Sequence, residues 1–396
     1  MAKSGRWVVS AMAVAVAAVL SQEAAADTMD PALGRFVTPP RAGDASCRTG
    51  DGGDAFYNPA SRFTKCGTYD AYFAKLIAQY GFAVAPTGMH SARSTGYGGY
   101  ELAIEAAYTK IDSDAEYWQL GTQGPQDASS NEFSVVNDDP DGLLQNYSLK
   151  FRKGFAFGLE ITGVVGFIAN TNIITGGADV RMSLLEGFRT GVPAVFPEIA
   201  VGGGVRTITG TEEFQLTVGS FDATVSKPIP IAGTVVLTPY GGYQWVRIFG
   251  DSGLIDLTPN TDAVNLCNYV GPNNPSTPDQ SKPSPDGQPN CNPDGGARGS
   301  SADFNNTVVF DPVRLTRHRL NFGLQLRFQY VKFGAHFITD LVAPEDANEG
   351  SDHEARTYDP DDGEATFNEF GDDPTNPKDT AVSRQWTLAF DLGAVF

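Results

Sequence analysis

The sequence points to an all-β protein, an antiparallel barrel of about ten strands closed on itself, and three observations carry that reading. Between Tyr100 and Phe396 apolar and polar side chains alternate with a period of two in segment after segment. The links between those segments sort by length, with the long ones after the first, seventh and ninth. The last stretch, "RQWTLAFDLGAVF", puts Trp386, Leu388, Phe390, Leu392, Ala394 and Phe396 on one face. Gln385, Thr387, Ala389, Asp391, Gly393 and Val395 fall on the other, so one face is apolar and bounded by aromatics while the other is small or polar.

The segments follow in order. "YELAIEAAY" sets Tyr100, Leu102, Ile104 and Tyr108 against Glu101 and Glu105, and "YSLKFRKGF" sets Tyr147, Leu149 and Phe151 against Lys150 and Arg152. "FGLEITGVVGF" sets Phe157, Leu159, Ile161, Val165 and Phe167 against Glu160 and Thr162, and "ADVRMSL" sets Val180, Met182 and Leu184 against Asp179, Arg181 and Ser183. "EIAVGGGVR" opposes Ile199, Val201 and Val205 to Glu198 and Arg206. "FQLTVGSFDATVS" changes apolar parity near Ser220, which predicts a bulge there. "TVVLTPYGGYQWVRI" is the seventh, with Tyr243 and Trp245 as girdle residues. "RLNFGLQLRFQ" and "VKFGAHF" turn Phe322, Leu324, Leu326, Phe333 and Phe337 one way and Arg327, Lys332 and His336 the other. With the closing segment the count is ten, with eight to fourteen left open, each near the 9–11 residues a tilted membrane-spanning strand needs. Links two–three and eight–nine are tight, links four–five and six–seven short, and the long ones cover about 112–145, 250–316 and 340–383, all on one side.

The start of the chain reads as an export signal. Lys3 and Arg6 precede an apolar run from Trp7 to Leu20, and Ala24 and Ala26 form an A-x-A cleavage site before Asp27. The run is too short to span as a helix, and no later apolar stretch reaches about 20 residues, so any membrane crossing must use strands. Four cysteines in an exported chain imply disulfides, and spacing favours Cys47 with Cys66 and Cys267 with Cys291. The second bridge would close a ring of about 25 residues in a polar, Pro-rich loop and contribute roughly 3 kcal/mol. The organisation expected is a signal peptide over 1–26, a non-alternating segment over 27–98 and the barrel over 99–396. Within the middle segment Tyr72, Phe73, Leu76, Ile77 and Tyr80 share one helical face, Asp70 suits the N-terminus and Gly81 can end the helix. That segment is either a plug in the barrel or a cap at its periplasmic mouth.

Charge is unevenly spread. Residues 112–141 hold eight acids and no Lys or Arg, and 340–380 hold fourteen acids against Arg356 and Lys378. Those two loops account for the whole formal net charge of -19, which makes them a solvated acidic surface and leaves no basic footprint for nucleic acid.

On these residues the chain resembles a Gram-negative outer-membrane β-barrel: an exported start, amphipathic strands over about 300 residues, and a final alternating strand ending in Phe396. The resemblance implies residence in the outer membrane with both termini periplasmic, contact with the bilayer and lipopolysaccharide, and Phe396 as the signal read by the barrel-assembly machinery. A narrower echo is Asn58-Pro59-Ala60, similar to the N-P-A stretch of the long-chain fatty acid transporter family, where it belongs to a hatch domain. Cys47 and Cys66 around it depart from that pattern.

For function two classes stand. The first is a channel or transporter for small solutes, its path lined by Lys150, Arg152, Arg181, Arg206, Arg317, Arg319, Arg327, Lys332, Glu101, Glu105, Glu160 and Asp391, with His336 and Arg384 beside them. The second is a structural or surface-interaction barrel that meets an extracellular partner through its acidic loops. The same inward charges also read as a salt-bridge network filling a narrow interior, the reading that about eight to ten strands favour. Enzyme chemistry is not expected: the chain has four histidines, and no P-loop, G-x-S-x-G or H-E-x-x-H. No cofactor is expected. Calcium would have to sit in the oxygen-rich turns at Asn137–Gly142 or Asp359–Glu364, neither with full calcium-loop spacing.

Overall fold

The computed structural model describes residues 28–38, 67–87, 90–125, 136–186, 196–232, 234–256, 261–262, 267–268, 307–344, 355–358, 365–368 and 382–396. The expected signal peptide, Asn58-Pro59-Ala60, Cys47, Cys66, Cys291 and the Asp359–Glu364 turn lie outside them; Cys267 is described only in its backbone, in a two-residue ladder with Asp262.

Ten strands make the barrel: β1 Tyr100–Lys110, β2 Leu143–Gly154, β3 Leu159–Ile168, β4 Ile174–Leu185, β5 Glu198–Thr209, β6 Phe214–Ser226, β7 Val235–Ser252, β8 Val313–Phe328, β9 Val331–Asp340 and β10 Trp386–Val395. Each pairs antiparallel with its sequence neighbour, and β10 closes the ring on β1 with Leu388 opposite Tyr108 and Ala394 opposite Leu102. Closure leaves no open edge, which is what allows a sheet to lie in lipid with every backbone group paired. Among the described residues no helix is long and apolar enough to cross a membrane.

The surface is inverted relative to a water-soluble barrel. Val165, Val180, Val205, Phe221, Phe322 and Leu392 point outward and are each between about two-fifths and seven-tenths exposed. Their strand neighbours Glu160, Arg181, Arg206, Lys332 and Asp391 are buried inside. A polar interior behind an apolar, uncovered exterior is the arrangement of a membrane β-barrel, and the chain is one.

Two expectations about the links and strands need correcting. Long links do share one end of the barrel, but tight links are not confined to the other, since β3–β4 and β5–β6 are joined there by 169–173 and 210–213. The change of parity at Ser220 is not a bulge. β6 keeps one unbroken register from Phe214 to Ser226 against β7 and runs without a shift along β5. Phe214, Leu216 and Val218 simply face inward, because that half of the interior is apolar.

What fills the interior is the N-terminal segment. Helix α1, Asp70–Val84, sits in the long-loop end of the barrel, with Ile77 against Gly250 and Gly81 against Ile248. Below it residues 85–87 and 90–99 lie along the lumen toward the short-turn end, where Gly96 and Gly98, at φ of 84° and 82°, turn the chain into β1. Glycine takes those left-handed angles without the penalty a Cβ would bring. Gly81 is not the helix terminator expected: α1 continues to Val84, and a Cβ at Gly81 would lie 2.6 Å from Ile248 Cγ2. Close approach, not chain reversal, is its reason.

Among the described residues, Thr28 and Phe396 lie at opposite ends of the barrel. Phe396 pairs with Tyr100 at the short-turn rim, while the Thr28 carbonyl accepts from Gly124 N and Met29 N donates to Asn170 O at the long-loop end. A segment that threads the lumen before strand one must start at the opposite mouth. A second helix, α2 Glu116–Gly121, packs with α1 and residues 28–38 over that mouth.

Candidate functional site

The lumen is where the sequence placed its charges, and it divides into two layers. In the long-loop half, Leu216 and Val218 of β6, Val246 and Ile248 of β7, and Val313 and Leu315 of β8 face α1 and are fully buried. Thirteen of the fifteen residues of α1 are buried there, with Phe73 stacked on Phe310 at 5.0 Å and Tyr80 beside Phe214 at 5.6 Å. Two polar side chains stitch the cap. Gln79 accepts from Trp118 Nε1 at 2.8 Å and donates to Asp112 at 2.8 Å. Glu213, in the β5–β6 link, accepts from Leu33 N at 2.6 Å. Burial pushes the Glu213 carboxyl up to about 7, with Asp30 adding to the rise and the Leu33 bond and Arg35 opposing it.

The seam between the layers is built from two arginines. Arg317 and Arg319 hold their guanidiniums 4.7 and 4.9 Å from the centre of the Phe82 ring. Arg319 donates to the Phe82 and Pro86 carbonyls at 3.0 and 2.9 Å, and Arg317 meets Asp340 at 3.2 Å. Neither is open to solvent, so both anchor the plug rather than line a path.

In the short-turn half the wall charges pair with one another. Glu101 lies between Arg152 at 3.1 Å and Lys332 at 2.5 Å, and Lys332 also meets Asp391 at 2.9 Å. Lys150 pairs with Glu105 at 2.5 Å, Arg206 with Asp179 at 2.8 Å and Arg181 with Asp222 at 2.9 Å. Glu160 takes its partners from the threading segment, accepting from Thr95 N at 2.6 Å and standing 3.6 Å from His90. Thr87 reaches Glu105, Gln244 donates to the Pro86 carbonyl at 3.0 Å, and Ala92 N donates to Ser226 at 2.9 Å.

Of the twelve expected lumen residues, eleven are in these networks. Arg327 is not: it faces inward but is exposed at the short-turn mouth, donating to the Gln329 carbonyl at 3.2 Å. Arg384, also expected inside, is exposed just before β10. At the short-turn mouth remains a cavity of about 260 Å³, lined by Arg93, Glu101, Arg152, Glu198 and Arg327 among others. Sequence reasoning missed Asp222, Asp340, Gln244 and the plug residues Thr87 and His90. Unbroken even parity through β6 would have placed Asp222 inside. Asp340 ends β9, at the first position of the stretch expected as a loop. In the expected calcium turn at Asn137–Gly142, the Asn137 amide is bound to the Thr28 carbonyl and Thr122 Oγ1.

No protein-family model matches the chain, and neither does any curated protein. Among solved structures, the attachment invasion locus protein Ail of Yersinia pestis is 9% identical, with 76% of this chain and 99% of that one covered, at a TM-score of 0.22. The outer membrane protein OprG of Pseudomonas aeruginosa is 9% identical over 76% and 99%, at 0.24. The KdgM porin in complex with disordered oligogalacturonate is 6% identical over 74% and 98%, at 0.21. All three scores are low. The membrane barrel here stands on its own closed ladder and inverted surface.

Proposed function

We propose that the protein is a sealed outer-membrane barrel that works through the platform at its long-loop end, and that its lumen sustains no steady solute flow. The observation behind this is the burial of α1 in the barrel mouth. Phe73, Leu76, Ile77, Tyr80, Phe82 and Val84 are all at most 2% exposed. At about 1.5–3 kcal/mol for each large apolar side chain, withdrawing the helix forfeits on the order of 10 kcal/mol before any other contact is counted. Thermal opening against that cost is too rare to serve as a conducting state. The long-loop end faces the exterior in this reading, as long loops do in outer-membrane barrels. It carries α2, residues 28–38 and the acidic links, which together form the surface a partner would meet.

A gated channel is the second reading, and the cavity at the short-turn mouth favours it. Below α1 the described part of the plug is held largely by hydrogen bonds, and most wall charges, though not Glu160, are already paired without it. Planar-bilayer recording of the full chain separates the two. The sealed reading expects a silent bilayer. Regular conductance steps that change when Arg327 and Lys332 are neutralised would overturn it in favour of the channel.

A further inference from the structure

The cavity at the short-turn mouth is built from two unlike sets of groups. Its volume of about 260 Å³ lies just under the roughly 300–1,000 Å³ common for small-molecule sites. Plug and wall share its lining: Ser91 and Arg93 come from the segment before β1, Arg152 from β2, Thr238 from β7, and Gln325 and Arg327 from β8. Two carboxylates also line it, and both are already paired. Glu198 meets Arg93 at 3.3 Å, and Glu101 is held by Arg152 and again by Lys332. Behind the lining, Lys332 and Asp391 offset each other at 2.9 Å. Arg93 and Arg152 are thus matched by Glu198 and Glu101, which leaves the charge of Arg327 in surplus. Its Nε donates to the Gln329 carbonyl, and no carboxylate among the described residues pairs with its guanidinium.

The second set is neutral. Ser91 and Thr238 are each 5% exposed, and Gln325 is half-buried. None of these three side chains makes a hydrogen bond among the described residues, although buried polar groups ordinarily have a partner. Thr238 stands directly opposite Gln325 on the β7–β8 ladder, one inward step from Arg327. Hydroxyls and an amide beside one unmatched guanidinium suit a ligand that carries both hydroxyls and an anionic head. A guanidinium fork fits carboxylate and phosphate oxygens alike, so charge decides between them. The surplus is a single positive charge, which one carboxylate balances and a phosphate of about -1.5 to -2 exceeds.

We propose that this cavity binds a small polyhydroxylated carboxylate from the short-turn side, its carboxylate on Arg327 and its hydroxyls on Ser91, Thr238 and Gln325. Binding there needs no movement of α1, so it is independent of whether the lumen conducts, and a silent bilayer leaves it standing. The test is calorimetry of the full chain in neutral detergent with D-gluconate, D-sorbitol, acetate and inorganic phosphate as probes. Sorbitol keeps the hydroxyls of gluconate without the carboxylate, and acetate keeps the carboxylate without the hydroxyls. Gluconate should bind with a Kd at or below about 1 mM, and each of the other three should bind about tenfold more weakly or worse. Arg327→Gln should weaken gluconate by about tenfold while the heat-modifiable gel shift of the closed barrel stays. Thr238→Val should weaken gluconate about threefold and leave acetate unchanged; it is the deciding variant if Arg327→Gln fails to fold. The absence of saturable gluconate binding overturns the proposal. So does sorbitol, acetate or phosphate binding as tightly as gluconate, or undiminished gluconate affinity in a folded variant.

Discussion

The two halves of the lumen are held by opposite chemistry on the same ten strands. The long-loop half is apolar on both sides of the contact: Val218, Val246, Ile248 and Leu315 share one buried apolar cluster with α1. The short-turn half is charged, and most of its wall residues satisfy one another across neighbouring strands, as Glu101 does with Arg152 and Lys332. Remove the plug and the upper wall would expose apolar surface to water, while the lower wall would keep most of its partners. Burial is non-directional and scales with area, so the upper half supplies the plug's affinity. Hydrogen bonds such as Arg319 to the Phe82 carbonyl are directional, so the seam and lower half fix where the segment lies.

The largest test of that contrast is Phe73→Ala. Truncating a fully buried aromatic should cost about 3–5 kcal/mol, and the loss should fall on the plug. Limited proteolysis of the folded chain should cut residues 67–87 much faster, with the barrel's heat shift retained. Melting of the entire barrel together with the plug would mean that the two are one cooperative unit.

A pH titration gives a smaller effect of defined sign. Glu213 has a folded pKa of about 7 against an ordinary value near 4.5, so docking favours its protonated form. Its contribution is complete below about 4.5, falls as pH rises through 7, and then levels. The span is of order 3 kcal/mol. Hydrogen exchange at residues 28–38 should therefore speed up between those limits, and Glu213→Gln should flatten the profile. Exchange that slows with rising pH, after correction for intrinsic rates, would contradict the assignment.

The smallest effect belongs to the charged half. Lys332→Gln strips a cation from Glu101 and Asp391, but Arg152 still faces Glu101, so about 2 kcal/mol of barrel stability should go. Arg327→Gln, at the exposed mouth, should stay within about 0.5 kcal/mol. Urea unfolding in detergent reads both. If the two variants lose equal amounts, the lower network does not carry the wall.

Period-two alternation was enough to find each strand, because an antiparallel barrel between lipid and a polar lumen must present one chemistry per face. It failed where the lumen stopped being polar. In β6, Phe214, Leu216 and Val218 are inward and Phe221 and Val225 outward, and a reading that equates apolar with outward sees a bulge. The same blindness hid Asp222. Spacing could show α1 but not its place, since a helix buried nearly all round has no face that names its neighbour.

By itself, then, the sequence determined the strands, their alternation and the end that bears the long links. Those are set by local periodicity and by the polarity of the two solvents a strand meets. Only the tertiary structure decided that residues 85–87 and 90–99 lie within the barrel, that Thr28 lies at the mouth opposite Phe396, and which charge pairs with which. Those outcomes depend on register and on contacts across more than 230 residues of chain, such as Arg319 with Phe82 and Lys332 with Glu101, which no local pattern records.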